Sequence, residues 1–471
     1  MVMADMDKVS SKLKNVFADA VVKKDLMLYG HIGRLPRFIA EYLIGTVCGD
    51  RITEDGLKKI SEIVDKYYRE PQEKDVVKYE LVKKGSIRII AELKVGKDIE
   101  TGLNYAELLN IPIGEEIIVP DEIVEENPRL LEMGVWGMVG LEYNPDATIK
   151  VRVTDFKPFQ ITEVNLEDFR KGRSEFTTDE WIDALISTIG YNPTQLPLRK
   201  KLLILTRLLP LVEENLNLIE LGPRGTGKTY VFSNMSFYSR IFSGGRVSPA
   251  VLIWNLARDL PGEIPTRDCV VFDEISKIRF ENASEITGKL KQYMESGEYE
   301  RGRRKGSSGC SLVFVGNIDV AGERPVEEFT YVMPEELRDK AFVDRLHGFI
   351  PGWEIPKVGK AKQYLSHYYG FAVDYFSEIM HQLRKRIEFI AYVNDHVEVK
   401  GTDKIRDEKA VKRVAAALLK LICPDGNFSK EDLKLVMDMA LEYRQRIATW
   451  LHHMDPGEYS LIKLSCEFKG A

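Results

Sequence analysis

Gly222-Pro-Arg-Gly-Thr-Gly-Lys-Thr229 decides how the rest of this 471-residue chain is read. Gly222, Gly227, Lys228 and Thr229 satisfy the pattern G-x-x-x-x-G-K-[ST], with Pro223, Arg224, Gly225 and Thr226 between them. In that pattern backbone N–H groups wrap phosphates, the lysine reaches the terminal ones and the hydroxyl ligates magnesium. Leu216-Asn-Leu-Ile-Glu-Leu221 leads in as a strand and Tyr230-Val-Phe-Ser-Asn-Met235 leads out as a helix. Such a strand–loop–helix setting turns the first N–H groups of the helix toward an anion. A bare glycine-rich turn accounts for the loop but not for its flanks.

A nucleoside triphosphatase needs a second strand carrying acids, and Cys269-Val-Val-Phe-Asp273-Glu274 supplies one. Its apolar run reads as a buried parallel strand whose carboxyl end faces the nucleotide crevice. Asp273 is expected to hold Mg²⁺ through water, beside Thr229, and Glu274 to polarise the attacking water as general base. A third strand, Ser311-Leu-Val-Phe-Val-Gly-Asn317, ends in an amide suited to bond both the γ-phosphate and the lytic water. An Asn closing a strand at a turn explains the same residue. Farther on, Arg338 and Arg345 precede a short apolar strand. A rigid, always-charged guanidinium placed at a neighbour's γ-phosphate stabilises the transition state, and Arg345 is favoured over Arg338 for it. Surface ion pairing is the alternative for either.

The length suits two or three domains, and 44% hydrophobic residues allow each a core. No apolar run approaches a membrane span and the start lacks a secretory core, so a cytoplasmic protein without membrane contact is expected. Five scattered cysteines without a C-x-x-C pair predict neither a disulfide framework nor a zinc site. The net charge of −6 argues against nucleic-acid binding over the whole surface but leaves room for one basic channel.

Along the chain, residues 1–75 read as helical. Residues 76–160 read as a small barrel of oligonucleotide-binding type, from β-like runs at 86–95, 116–119, 135–141 and 148–154. Thr177-Thr178-Asp179-Glu180 announces a helix start near a domain boundary. An α/β core is expected over 161–355, and helices over 356–471, with apolar spacing at Ala415, Leu418, Leu419 and Ile422. Between the acidic and the Asn strand, Glu298-Tyr-Glu-Arg301-Gly-Arg303-Arg304-Lys305-Gly-Ser-Ser-Gly309 suggests a hairpin with a cationic tip. A solvated charged loop accounts for the same residues. Arg34, Arg37, Lys83 and Lys84 are weaker candidates for phosphate contacts.

The order of loop, acidic strand, Asn strand, arginine and helical region resembles the AAA+ ATPases over roughly residues 175 to 450. Gly244-Gly-Arg-Val-Ser-Pro-Ala-Val-Leu252 and Asp344-Arg345-Leu346 look like the branch that holds MCM helicases and Lon. Val21-Val-Lys-Lys-Asp-Leu26, Glu41-Tyr-Leu-Ile-Gly45, Tyr293-Met-Glu-Ser-Gly297 with Arg301-Gly302, and Leu312-Val-Phe-Val-Gly-Asn-Ile318 resemble the BrxL family of BREX phage-defence systems. That resemblance implies an AAA+ core with a helical lid, preceded by an α+β domain containing the oligonucleotide-binding-like barrel. It further implies ATP and Mg²⁺ as cofactors, hexamers that can stack as dodecamers around double-stranded DNA, and other BREX proteins as partners. Arg301, Arg303, Arg304 and Lys305 would then project into the channel and track phosphates. A lid basic residue against the phosphates is implied within Ala410-Val-Lys412-Arg413-Val, with Arg413 favoured over Lys412. Family members commonly carry a Lon-like protease domain after the lid. Here a short tail with Ser460 and Lys463 follows residue 450, so proteolysis is not expected of this polypeptide. The alternatives are an unfoldase serving a separate protease, and a scaffold that binds ATP only to assemble.

Overall fold

From Ala91 to Val95 burial alternates along strand Ser86–Lys97, which gives it an inner, apolar face in a barrel. The computed structural model describes residues 5–24, 35–49, 53–159, 164–257, 259–322, 324–358 and 362–469. Strands β1 (Ser86–Lys97), β2 (Asn104–Leu108), β3 (Ile117–Val119), β4 (Val135–Tyr143) and β5 (Val151–Pro158) close in the order β1-β2-β3-β5-β4. β1 returns to pair with β4, and β3 with β5 is the parallel pairing. Ile89, Ala91, Leu93 and Val95 of β1 meet Val139, Leu141 and Val153 inside. Helix Lys74–Lys84 lays Val77 and Leu81 into the same core, so the expected barrel region at 76–160 opens with a helix. β2 is the strand that the sequence does not announce, and β5 begins at Val151, later than expected.

The barrel and the helices Arg37–Cys48 and Glu54–Tyr67 belong to one compact unit, residues 26–164. Residues 1–25 and 165–471 make the other. The helical region expected over 1–75 is therefore divided between the two. The cause is local: strand Val21–Lys23 pairs antiparallel with Tyr369–Phe371, and Phe17 sets its edge on Phe371 at 4.8 Å among Phe169, Phe176 and Trp181. Arg34 lies outside the described residues. Arg37 is buried against Glu41 at 2.8 Å, Lys84 pairs with Glu80 at 3.2 Å, and Lys83 lies over the Tyr79 ring.

In the larger unit, β6 (Leu218–Gly222), β7 (Ser239–Val247), β8 (Cys269–Phe280), β11 (Ser311–Asn317) and β12 (Gly348–Pro351) form an all-parallel sheet in the order β12-β6-β11-β8-β7. A hairpin of β9 (Glu298–Arg301) and β10 (Arg304–Ser307) stands between β8 and β11 in the chain. Every residue of β6 and the run Cys269–Asp273 are buried, as a parallel sheet covered on both faces requires. Helix α1 (Lys228–Asn234) follows the phosphate loop, and α2 (Ala283–Ser296) leads into the hairpin. The Thr177–Glu180 capping box starts helix Thr178–Ile189 where the sequence places it.

Past Pro356 come helices Val373–Arg384 and Glu388–His396, then α3 (Ile405–Ile422) and α4 (Lys430–Met454). Ala415, Leu418, Leu419 and Ile422 of α3 are buried, as are Leu433, Val436, Met437 and Ala440 of α4, and the two helices pack together. The region is not helical to its end: Val397–Lys400 pairs antiparallel with Ser465–Phe468. Among the described residues, no helix is long and apolar enough to cross a membrane.

Candidate nucleotide site

The carboxyl ends of β6, β11 and β8 bring the predicted residues together. Asn317, the last residue of β11, stands in register with Gly222, the last of β6. The loop between β6 and α1 turns through Gly225 and Gly227 at φ +85° and +76°, a region that glycine enters without steric cost. Gly222 is needed for another reason: a Cβ there would come within 2.5 Å of the Gly352 backbone.

Beneath the loop lies a support that the sequence does not announce. Arg207, fully buried, donates to both Glu220 oxygens at 2.9 and 2.6 Å and to the Thr226 carbonyl at 2.8 Å. The Tyr191 hydroxyl donates to the same carbonyl at 3.0 Å. A buried ion pair is worth little net, yet removing one partner costs about 3–5 kcal/mol, so the pair fixes the loop's shape. Its available signal was Glu220, a carboxylate inside an otherwise apolar strand.

Lys228 is nearly buried and donates at 2.8 Å to the carbonyls of Gly222 and Pro223. Burial pulls its ammonium down to about 8, with Glu220 and Asp273 partly opposing and Arg207 adding to the fall. Thr229 Oγ1 donates to Asp273 Oδ2 at 2.6 Å, and Ser243 Oγ lies 3.4 Å from the same oxygen. Hydroxyl and carboxylate thus converge as a hard-oxygen set that fits Mg²⁺ shared with phosphate oxygens.

Glu274 follows on a backbone at φ +48°, its N–H bonded to Asp273 Oδ1 at 2.8 Å. The β7–β8 register breaks between Asp273 and Ile278, which frees 274–277 from the sheet. The Glu274 carboxylate is held by Lys277 at 2.9 and 3.0 Å, a partner that the sequence motif does not call for. Glu274, Lys277, Asn317, Arg224 and Lys357 line one cavity of about 880 Å³.

Arg345 and Arg413 are not brought there. Both line a second cavity, about 540 Å³, with Arg406, Lys409, Lys412 and Arg444. That cavity sits at the amino end of the sheet: Arg413 donates to the Asn215 carbonyl at 3.0 Å, three residues before β6, and Arg345 precedes β12. Five residues of β6, about 17 Å at the usual rise, separate this end from the loop. The implied placement of Arg413 against the phosphates therefore does not hold within one chain, nor does Lys412, which pairs with Glu408 at 2.7 Å. The cationic field is felt by half-buried His347, whose imidazole is pushed well below its ordinary range by desolvation first and then by Arg413, Arg444 and Arg406. Arg338 donates to the Met333 carbonyl at 2.9 Å and covers Tyr331.

The expected hairpin forms, with Gly302 at φ +59° in its turn. Its four basic residues differ. Arg304 is paired with Asp259 and lies over Trp254, and Arg301 donates to the Trp254 carbonyl at 2.5 Å. Among the described residues, exposed Arg303 and Lys305 have no ion-pair partner.

Residues 151–465 match the family model described as Lon-like protease BrxL-like, ATPase domain, and residues 15–143 that of the BREX system Lon protease-like protein BrxL N-terminal. The Lon-like protease BrxL of Escherichia coli O9:H4 (strain HS) is 34% identical over 462 residues, 96% of this chain and 66% of that protein. Its namesake in Bacillus cereus (strain H3081.97) is 33% identical over 471 residues, 98% of this chain and 69% of that protein. The chain thus spans about two thirds of the length of these curated relatives.

Proposed function

Because the chain belongs to the BrxL family, we propose that it is a cytoplasmic, ring-forming AAA+ ATPase of BREX-type phage defence that couples ATP hydrolysis to gripping or moving along duplex DNA. The observation that carries this reading is the two-ended arrangement of the larger unit. Lys228, Thr229, Asp273, Glu274 and Asn317 gather at the carboxyl end of the sheet, and Arg345 and Arg413 at the amino end. One chain carries both halves of a hydrolytic site but cannot join them. A neighbour in a closed ring can.

In this reading the loop N–H groups and Lys228 bind the β- and γ-phosphates of ATP, and Thr229 and Asp273 hold Mg²⁺, which neutralises charge on those phosphates. Glu274 takes a proton from the lytic water and Asn317 orients that water against the γ-phosphate. ADP and phosphate leave. Arg345 of the adjoining copy stabilises the charge that develops. Helices beyond residue 373 act as the lid, and the barrel, whose third and fifth strands run parallel, serves as the oligonucleotide-binding-like module. Arg303 and Lys305 meet DNA phosphates without reading bases.

An unfoldase reading draws on Leu256 and Leu260, about half exposed beside the hairpin. The cationic tip next to them favours a polyanion. The test is to image Glu274→Gln particles with ATP and duplex DNA while measuring turnover. Retained nucleotide and rings around DNA, with turnover lower by about 100-fold or more, are expected. Unchanged turnover removes Glu274 from the role of base, and particles without DNA remove the grip.

A further inference from the structure

Glu295 stands on the last turn of α2, directly before the hairpin, and two guanidinium groups of the amino-end cavity converge on one of its oxygens. Arg406 Nη2 donates to Glu295 Oε2 at 2.6 Å, and Arg345 Nε lies 3.2 Å from that same oxygen. The Arg345 contact is an ion pair without hydrogen-bond alignment: its buried Nε has no hydrogen-bond partner. Arg345 is also tied through Nη1, which donates to the Ala341 carbonyl at 2.5 Å. Arg345 is thus held by a carboxylate that it can exchange for another anion. Arg406 is shared in turn with Asp344, which a buried Arg444 anchors at 2.9 Å. The cavity floor is fixed by that network, and Glu295 is the member attached to a different element.

That element is hydrogen-bonded to the hairpin. The Gly297 N–H bonds the Tyr293 carbonyl at 2.8 Å, and the Ser308 N–H bonds the Gly297 carbonyl at 2.9 Å. Buried Tyr293 of α2 reaches past the hairpin's return strand, its hydroxyl donating to the Cys310 carbonyl at 2.7 Å. Arg301 in the hairpin lies 3.6 Å from Glu285 of α2. The base of the hairpin is linked to Arg413 as well, through Asn215. Asn215, whose carbonyl receives Arg413, bonds the Gly309 carbonyl through its own N–H at 2.9 Å, and a Cβ on Gly297 would come within 2.9 Å of its side chain. Arg303 and Lys305 are thus connected through α2 to Glu295, and through the hairpin base to Asn215, by a continuous run of backbone and side-chain contacts.

We propose that Glu295 is a positioning residue that holds Arg345 and Arg406 and transmits occupancy of the basic hairpin to them, so that polyanion bound at the hairpin sets when Arg345 is offered to a neighbour's triphosphate. This rests on the reading of Arg345 as acting across a subunit interface. A bound phosphate competes with the Glu295 carboxylate for the same guanidinium, which makes the exchange reversible.

The experiment compares ATP turnover of the full chain with and without saturating duplex DNA, for the wild type, Glu295→Gln and Arg345→Ala, with thermal stability measured alongside. Glu295→Gln keeps the shape and loses the charge. The expected result is an unshifted melting temperature, DNA affinity within about twofold of wild type, and a DNA-stimulated to basal ratio that collapses toward one. A wild-type ratio retained in Glu295→Gln overturns the proposal, as does a wild type whose turnover ignores DNA. The underlying reading fails separately: it is lost if Arg345→Ala turns over ATP like the wild type.

Discussion

Lys228 brings its charge into a site that does not by itself favour it. Burial lowers the ammonium from its ordinary 10.5 to about 8, while its bonds go to neutral carbonyls of its own loop. A triphosphate bound as proposed would supply the missing anion and restore the protonated form. The sign follows from linkage: below pH 8 the lysine is already charged and binding takes up no proton there, whereas above pH 8 binding must protonate it. ATP affinity is therefore expected to be flat from about pH 7 to 8 and to weaken by up to about tenfold per unit above that, read by titration calorimetry in two buffers of different ionisation enthalpy. Proton uptake that appears only on the alkaline side completes the signature. A flat profile to about pH 9.5 would place the lysine's titration elsewhere. Glu274 is bound in a comparable way, by Lys277 at 2.9 Å, so in the proposed role of base it would exchange an ion pair for a water before acting. In both residues an intrachain partner occupies the group that the proposed substrate would engage.

Among the elements, the β9–β10 hairpin separates by their partners the residues that its sequence presents as a single basic cluster. Asp259 neutralises Arg304 and the Trp254 carbonyl occupies Arg301, leaving Arg303 and Lys305 exposed. Replacing Arg303 and Lys305 together by Ala is expected to weaken duplex binding and to lower the slope of log affinity against log salt by roughly 0.9 for each DNA phosphate that is no longer neutralised. Arg304→Ala should change that slope far less, and fluorescence anisotropy across a salt series distinguishes the two. Equal slopes for both variants would mean that the Asp259 pair opens on binding. The hairpin itself was legible because turn glycine, strand residues and charge lie within a dozen neighbours, and the loop at 222–229 and the strand ending in Asp273 were legible for the same reason. What escaped is non-local. Arg207 meets Glu220 thirteen positions on, Arg406 meets Glu295 across 111, and Val21–Lys23 finds its partner strand near residue 370. No periodicity encodes such pairings. β2 escaped because Asn104-Tyr-Ala-Glu-Leu108 is half polar and is strand only through the barrel neighbours on either side.

For the whole molecule, the separation of the two cavities turns a question about assembly into one about arithmetic. If Arg345 serves only the loop of its own chain, a Lys228→Ala variant and an Arg345→Ala variant are each inactive and stay so when mixed. If it serves a neighbour, mixing creates interfaces where an intact Lys228 loop from one variant faces an intact Arg345 from the other. Random assembly gives that combination at about one interface in four, so turnover of an equimolar mixture should recover to roughly a quarter of wild type after subunit exchange. The recovery must rise with the total concentration through the assembly range, and it must vanish when either variant also carries the other substitution. Additive residual rates would leave Arg345 without a role across an interface, and its place in the amino-end cavity would then be a feature of the single chain. A recovery well above a quarter would point instead to rings in which one competent interface drives its neighbours, a coupling for which the Glu295 connection between hairpin and arginine offers a route.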